Sequence, residues 1–157
     1  MEGRDSVLSS PGSICSQFPC FRGEPLSVHR PILWQLLTHP RSIALVDDRR
    51  TTRNYELLAA IFHIAHKLDA VNHTPRLGLL LPTGGTFPAA ALAGLTLGRT
   101  IVPLNYLLKK EELQYVIDDC GTDTIVTVKP MIEHLGYSPK VKNLIYLEDV
   151  DFSGMPD

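Results

Sequence analysis

The run TLGRTIVPLNYLLKKEELQYVIDDCGTDTIVTV, Thr96 to Val128, reads in succession as strand, loop, helix and strand. Within KKEELQYVIDDC, residues Leu113, Val116, Ile117 and Cys120 recur at i, i+3, i+4 and i+7, so one stripe of a helix faces a core. Glu111 and Glu112 stand in its first turn, where the helix dipole favours anions. Gly121 follows the last turn, where a left-handed residue satisfies the terminal carbonyls without a Cβ penalty. Cys120 thus reads as a small buried apolar residue rather than a nucleophile. TIVPLN before the helix and DTIVTV after it supply the strands.

The same alternation extends in both directions. Upstream, RLGLLLP is a nearly continuous apolar run, the pattern of a strand covered on both faces, and a helix is predicted from Thr86 to Leu97. Downstream, MIEHL reads as a helix and NLIYLED as a strand. The order βαβαβαβ predicts an α/β fold with a doubly wound, mostly parallel sheet and flanking helices. Further upstream, PILWQLLTHP makes a short helix between Pro31 and Pro40 with Ile32, Trp34, Leu36 and Leu37 available for burial. SIALVDDRRTT has the grammar of a hairpin turning at Asp47-Asp48, and Asn54 is placed to cap the helix NYELLAAIFHIAHKLDAV. That helix carries Leu57, Leu58, Ile61, Ala65 and Leu68 on one stripe. Residues 1–30 mix Ser, Gly and Pro with isolated apolar residues and no period, so they read as a flexible leader ahead of a folded unit over 31–157.

Composition sets the outer limits. At 157 residues roughly 70% of the unfolded surface can be buried, enough for one real core. A net charge of -2 gives no broad attraction for nucleic acid or anionic lipid, so no nucleic-acid partner is expected. The longest apolar run, within Phe87–Gly98, is too short for a bilayer that needs about 20 apolar residues, and no transmembrane segment is expected. Three cysteines, an odd number without a secretory signal, fit reduced thiols in a cytoplasmic setting.

Individual motifs carry little chemistry. Cys15 and Cys20 could hold a metal if His29 joined them, but the spacing is loose and a fourth ligand is missing. His63 and His66 sit three apart on a helix with neither a third ligand nor a Glu between them, and read as a partly solvated face. LPTGGTFP places Gly84 and Gly85 in a strand-to-helix turn, a common phosphate cradle, yet matches neither G-x-G-x-x-G nor G-x-x-x-x-G-K-[ST]. Two glycines making a tight turn is the favoured reading. Asp47-Asp48 and Asp118-Asp119 are adjacent and point apart, so they read as solvated rather than as catalytic pairs.

An ordered set of features nevertheless resembles one family. Leu95 to Gly98, the Val-Pro-Leu-Asn element at Val102 to Asn105, and Glu-Glu-Leu-x-Tyr-Val-Ile at Glu111 to Ile117 resemble the N-terminal region of adenylate-forming enzymes: acyl-CoA synthetases, luciferases and nonribosomal peptide adenylation domains. The likeness runs from about His39 to Asp149. It departs from the pattern at Asn54-Tyr55-Glu56, where the acid is shifted, and at Lys109-Lys110, which replace a Thr-Pro and so forgo an oxygen cap worth about 1 kcal/mol.

The resemblance implies a complete enzyme that uses ATP and Mg2+ to convert a carboxylic acid, fatty or otherwise acyl, into an acyl adenylate and then a CoA thioester. The phosphate-binding loop, ribose acid, hinge and C-terminal lysine of the family all lie beyond the matched region. The expectation is therefore a fragment, truncated before the phosphate loop and inactive alone. No residue is assigned as catalytic, cofactor-binding or metal-binding, and the expected partner is the missing remainder of the ligase. The alternatives are a non-enzymatic interaction module and a Rossmann-like nucleotide-binding domain using Thr83 to Thr86.

Overall fold

A computed structural model describes residues 27–47 and 50–150. Cys15 and Cys20 lie outside the described residues. The first helix, α1 (His29–Thr38), takes in His29 and is followed by an antiparallel hairpin of β1 (Ile43–Val46) and β2 (Thr51–Arg53). Then come α2 (Asn54–Val71), β3 (Arg76–Leu80), α3 (Thr86–Thr96), β4 (Thr100–Pro103), α4 (Lys110–Cys120), β5 (Thr124–Thr127), α5 (Lys129–Leu135) and β6 (Asn143–Tyr146), closed by a 3-10 turn at Leu147–Asp149.

The expected parallel sheet is present. Four strands lie in the order β4-β3-β5-β6, every pairing parallel. The chain steps from β3 to one side, then crosses back over it to reach β5. β3 therefore lies between two partners, and four of its five residues are buried. Leu77 and Leu79 pack into a cluster with α1, α2 and α3, whereas Leu80 joins Ile125, Leu113, Ile117 and Met131 under α4 and α5. The unbroken apolar run has this cause: each side chain has a core to enter, whichever way it points. Among the described residues no helix is long and apolar enough to cross a membrane.

Helix ends follow local chemistry. Gly121 adopts the left-handed conformation, φ 59° and ψ 33°, that its place after α4 predicts. Gly121→Ala is expected to destabilise by about 1 kcal/mol, since a Cβ is disfavoured there, with the shift read from the urea midpoint. Asn54 behaves otherwise than expected. It is the first residue of α2, it is buried, and its Nδ2 donates to the His39 carbonyl at 2.8 Å. The cap comes from Glu56 instead, whose Oε2 accepts the Arg53 N–H at 2.7 Å; that bond holds the Glu56 carboxyl below its ordinary pKa. Glu112 does the same for α4, accepting the Lys109 N–H at 3.0 Å. That bond is the reciprocal half of a capping box: it satisfies the amide of the N-cap residue itself, not the inner amide that a threonine oxygen would take.

Opposite the strands' carboxyl ends, the sheet is tied by a polar cluster. Asp123 accepts hydrogen bonds from Thr124 Oγ1 at 2.8 Å, Thr74 Oγ1 at 3.0 Å, Asn72 Nδ2 at 3.1 Å and the His73 N–H at 3.3 Å. Asn72, at the end of α2, is fully buried and also donates to the Arg76 carbonyl at 3.1 Å. One carboxylate thereby ties the connection between α2 and β3 to the start of β5, and Asn72 and Thr74 carry the link on to Arg76 in β3.

Candidate functional site

The connections on the two sides of β3 run in opposite directions across the sheet, and α/β sheets bind ligands outside the carboxyl ends of their strands near such reversals. Two hollows lie at the carboxyl end of β3, on either side of the turn that leads into α3, one toward β4 and the other toward β1. One, of about 350 Å3, is lined by Leu81, Thr83, Phe87, Leu104, Asn105 and Tyr106, with mostly apolar walls. Its rim is shaped by Asn105, whose Oδ1 accepts the Leu107 N–H at 3.0 Å and fixes the loop after β4. The other, of about 320 Å3, lies between the end of β1 and the turn, and is lined by Leu45, Val46, Asp47, Thr83, Gly84 and Gly85.

The turn's electrostatics are settled by Asp47. Its Oδ2 accepts the Gly85 N–H at 3.1 Å, across 38 residues of sequence. A Cβ on Gly84 would stand 2.9 Å from that oxygen. Neither Gly84 nor Gly85 has a positive φ, so Gly84 gives way to a carboxylate rather than permitting a left-handed turn. Asp47, read from the sequence as a solvated turn residue, is exposed and yet caps α3.

A similar arrangement occurs at α5, where the Lys129 N–H donates to Glu148 Oε1 at 3.0 Å. Lys129 Nζ also donates to Asp149 Oδ1 at 2.7 Å, which raises the lysine's pKa. Helix starts that could cradle an anion are thus occupied by the chain's own acids. A nucleotide phosphate at the Gly85 amide would meet a carboxylate, so the Thr83–Thr86 turn does not fit the phosphates of ATP.

The remaining candidates disperse. His63 is half-buried and His66 exposed on α2, and among the described residues no three of His, Cys, Asp or Glu come together to hold a metal ion. Asp118 is exposed and accepts from Gln114 Nε2 at 2.9 Å. Cys120 is half-buried, a free thiol donating to the Ile117 carbonyl at 3.3 Å.

The family described as AMP-binding enzyme matches residues 32–155. This chain belongs to the AMP-binding enzyme family. The inhibitor-bound N-terminal domain of FACL13 from Mycobacterium tuberculosis superposes with a TM-score of 0.64 at 21% identity, covering 80% of this chain and 36% of that one. The o-succinylbenzoate CoA synthetase of Bacillus subtilis, in complex with the acyl-adenylate intermediate OSB-AMP, gives 0.64 at 26%, over 79% of this chain and 33% of that one. A benzoate CoA ligase from Burkholderia xenovorans LB400 gives 0.70 at 18%, over 84% and 29%. No curated protein matches. The chain spans about a third of the length of these structures, and its parallel sheet and flanking helices match the N-terminal domain of FACL13.

Proposed function

We propose that this chain is the scaffold portion of an adenylate-forming ligase that activates a carboxylic acid with ATP and Mg2+ and passes the acyl group to CoA, working in the cytosol, and that alone it does not catalyse adenylation. The observation that carries this is the family match over residues 32–155, on a sheet whose carboxyl edge offers an apolar hollow but a helix start filled by Asp47. The acyl reading draws on the o-succinylbenzoate CoA synthetase at 26% identity; a nonribosomal peptide synthetase bound to AMP and glycine superposes at 25%, and the acid panel below separates the two classes. The proposed partner is the remainder of the ligase. β4 and β6 end the order of the described sheet, each with one paired edge, and an open strand edge is a natural place for further chain to dock.

ATP–pyrophosphate exchange tests the reading. The purified chain, with Mg2+ and a panel of octanoate, benzoate, acetate and amino acids, is expected to give no exchange above the enzyme-free blank. Exchange that depends on any one acid overturns the scaffold assignment and names a substrate.

A further inference from the structure

We propose that Asp47 is a latch: its carboxylate holds the β1–β2 hairpin against the start of α3 and so sets the opening of the cleft between them. The hairpin pair fixes the latch at one end, since the Asp47 N–H donates to the Arg50 carbonyl at 2.9 Å and the Arg50 N–H donates back at 3.2 Å. At the other end Oδ2 takes the Gly85 N–H, an amide that has no partner within its own helix because it lies at the N-terminus. The dipole of α3 strengthens this bond to an anion.

Gly84 completes the device. A side chain there would crowd the carboxylate, its Cβ standing 2.9 Å from Oδ2, so the glycine is matched to the acid rather than to the backbone path. The cleft of about 320 Å3 has the end of β1 as one wall and residues 83–85 as the other, and this bond bridges the two walls. Below the bridge, Ala44 and Leu45 pack only partly into the core, and the residues on either side of them, Ile43 and Val46, are exposed. The hairpin is thus held at its root by β2 running into α2, and toward its far end by Asp47 on one strand and by Arg50, whose Nη2 donates to Glu56 Oε1 at 3.1 Å, on the other. Releasing the latch loosens the β1 side of the cleft while the parallel sheet is left intact. The inference rests on this geometry and not on the ligase assignment.

Amide hydrogen exchange on the whole chain tests it. Asp47→Ala is expected to speed exchange at Gly85, Asp47 and Arg50 by about fivefold or more, with Leu80 and Val126 in the core strands unchanged. Gly84→Ala, which keeps the aspartate but displaces its carboxylate, is expected to give the same local pattern, and Asp47→Asn a weaker one. Unchanged exchange at Gly85 and the hairpin overturns the latch. A uniform rise that includes Leu80 and Val126 also overturns it, because Asp47 would then serve global stability alone.

Discussion

Replacing Asp123 with alanine should lower the stability of the fold by about 3 kcal/mol, read as a fall in the urea midpoint at neutral pH. The carboxylate accepts four hydrogen bonds, and its removal leaves the fully buried amide of Asn72 with the Arg76 carbonyl as its main acceptor while unpairing the Thr74 and Thr124 hydroxyls from their shared anion. Bonds to a charged group are worth about 1.5–3 kcal/mol each when counted singly, but they are not additive around a shared acceptor, which keeps the total near the upper end of one.

The same residue gives a pH signature. Burial acts to raise its pKa, but the bonds from Thr124, Thr74, His73 and Asn72 outweigh it and leave the carboxyl below its ordinary value of 3.8. A depressed pKa stabilises the folded state above the unfolded value and loses that stabilisation as pH falls through the folded one. Wild type should therefore lose more stability than Asp123→Asn between about pH 4 and pH 2. Parallel slopes for the two proteins in that window would show that the carboxylate's charge is not what the cluster uses.

Gly94→Val should destabilise by a comparable amount, about 3 kcal/mol, through overpacking. Gly94 is buried in α3, where a Cβ would stand 2.6 Å from Ile101 Cδ1 and 2.7 Å from Leu77 Cδ2. Both are fixed by the core: Leu77 has no exposed surface, and Ile101 packs against the same cluster. Gly94→Ala carries a smaller version of the clash, offset by the better helix propensity of alanine, for a net loss of about 1 kcal/mol. Ile101→Val removes the offending Cδ1, so the double variant Gly94→Ala/Ile101→Val should be more stable than the sum of the single changes predicts. Strict additivity in thermal unfolding would show that close approach of helix and sheet is not what selects the glycine.

Legibility from sequence followed the range of the interactions. Residues 76–80 announce a two-faced strand because burial acts on each side chain in turn, and Gly121 announces a helix end because its neighbours alone decide its conformation. Asn54 misleads for the same reason: an asparagine before a helical stripe suits a cap, but the nearby His39 carbonyl and the Glu56 carboxylate displace it from that local role. Asp47 and Asp123 were illegible. Gly85 lies 38 residues from Asp47, and three of the four partners of Asp123 lie about 50 residues away, brought near only by the crossing of the chain, and nothing in a short window of sequence marks an acid for that use. The candidate site shares this limit, since its turn is visible in Gly84 and Gly85 while the oxygen that fills it is not.

The placement of β3 between β4 and β5 also governs how the chain can be made. β4 follows β3 closely, but the second side of β3 is met only by β5, and Thr127 Oγ1 reaches back 47 residues to the Leu80 carbonyl. A nascent chain emerging from the ribosome must hold its most apolar strand half paired until that later segment arrives. The interval of synthesis between Leu80 and Thr127 is thus when the strand relies on helices α2 and α3 to cover one of its faces, the other being covered once α4 has emerged.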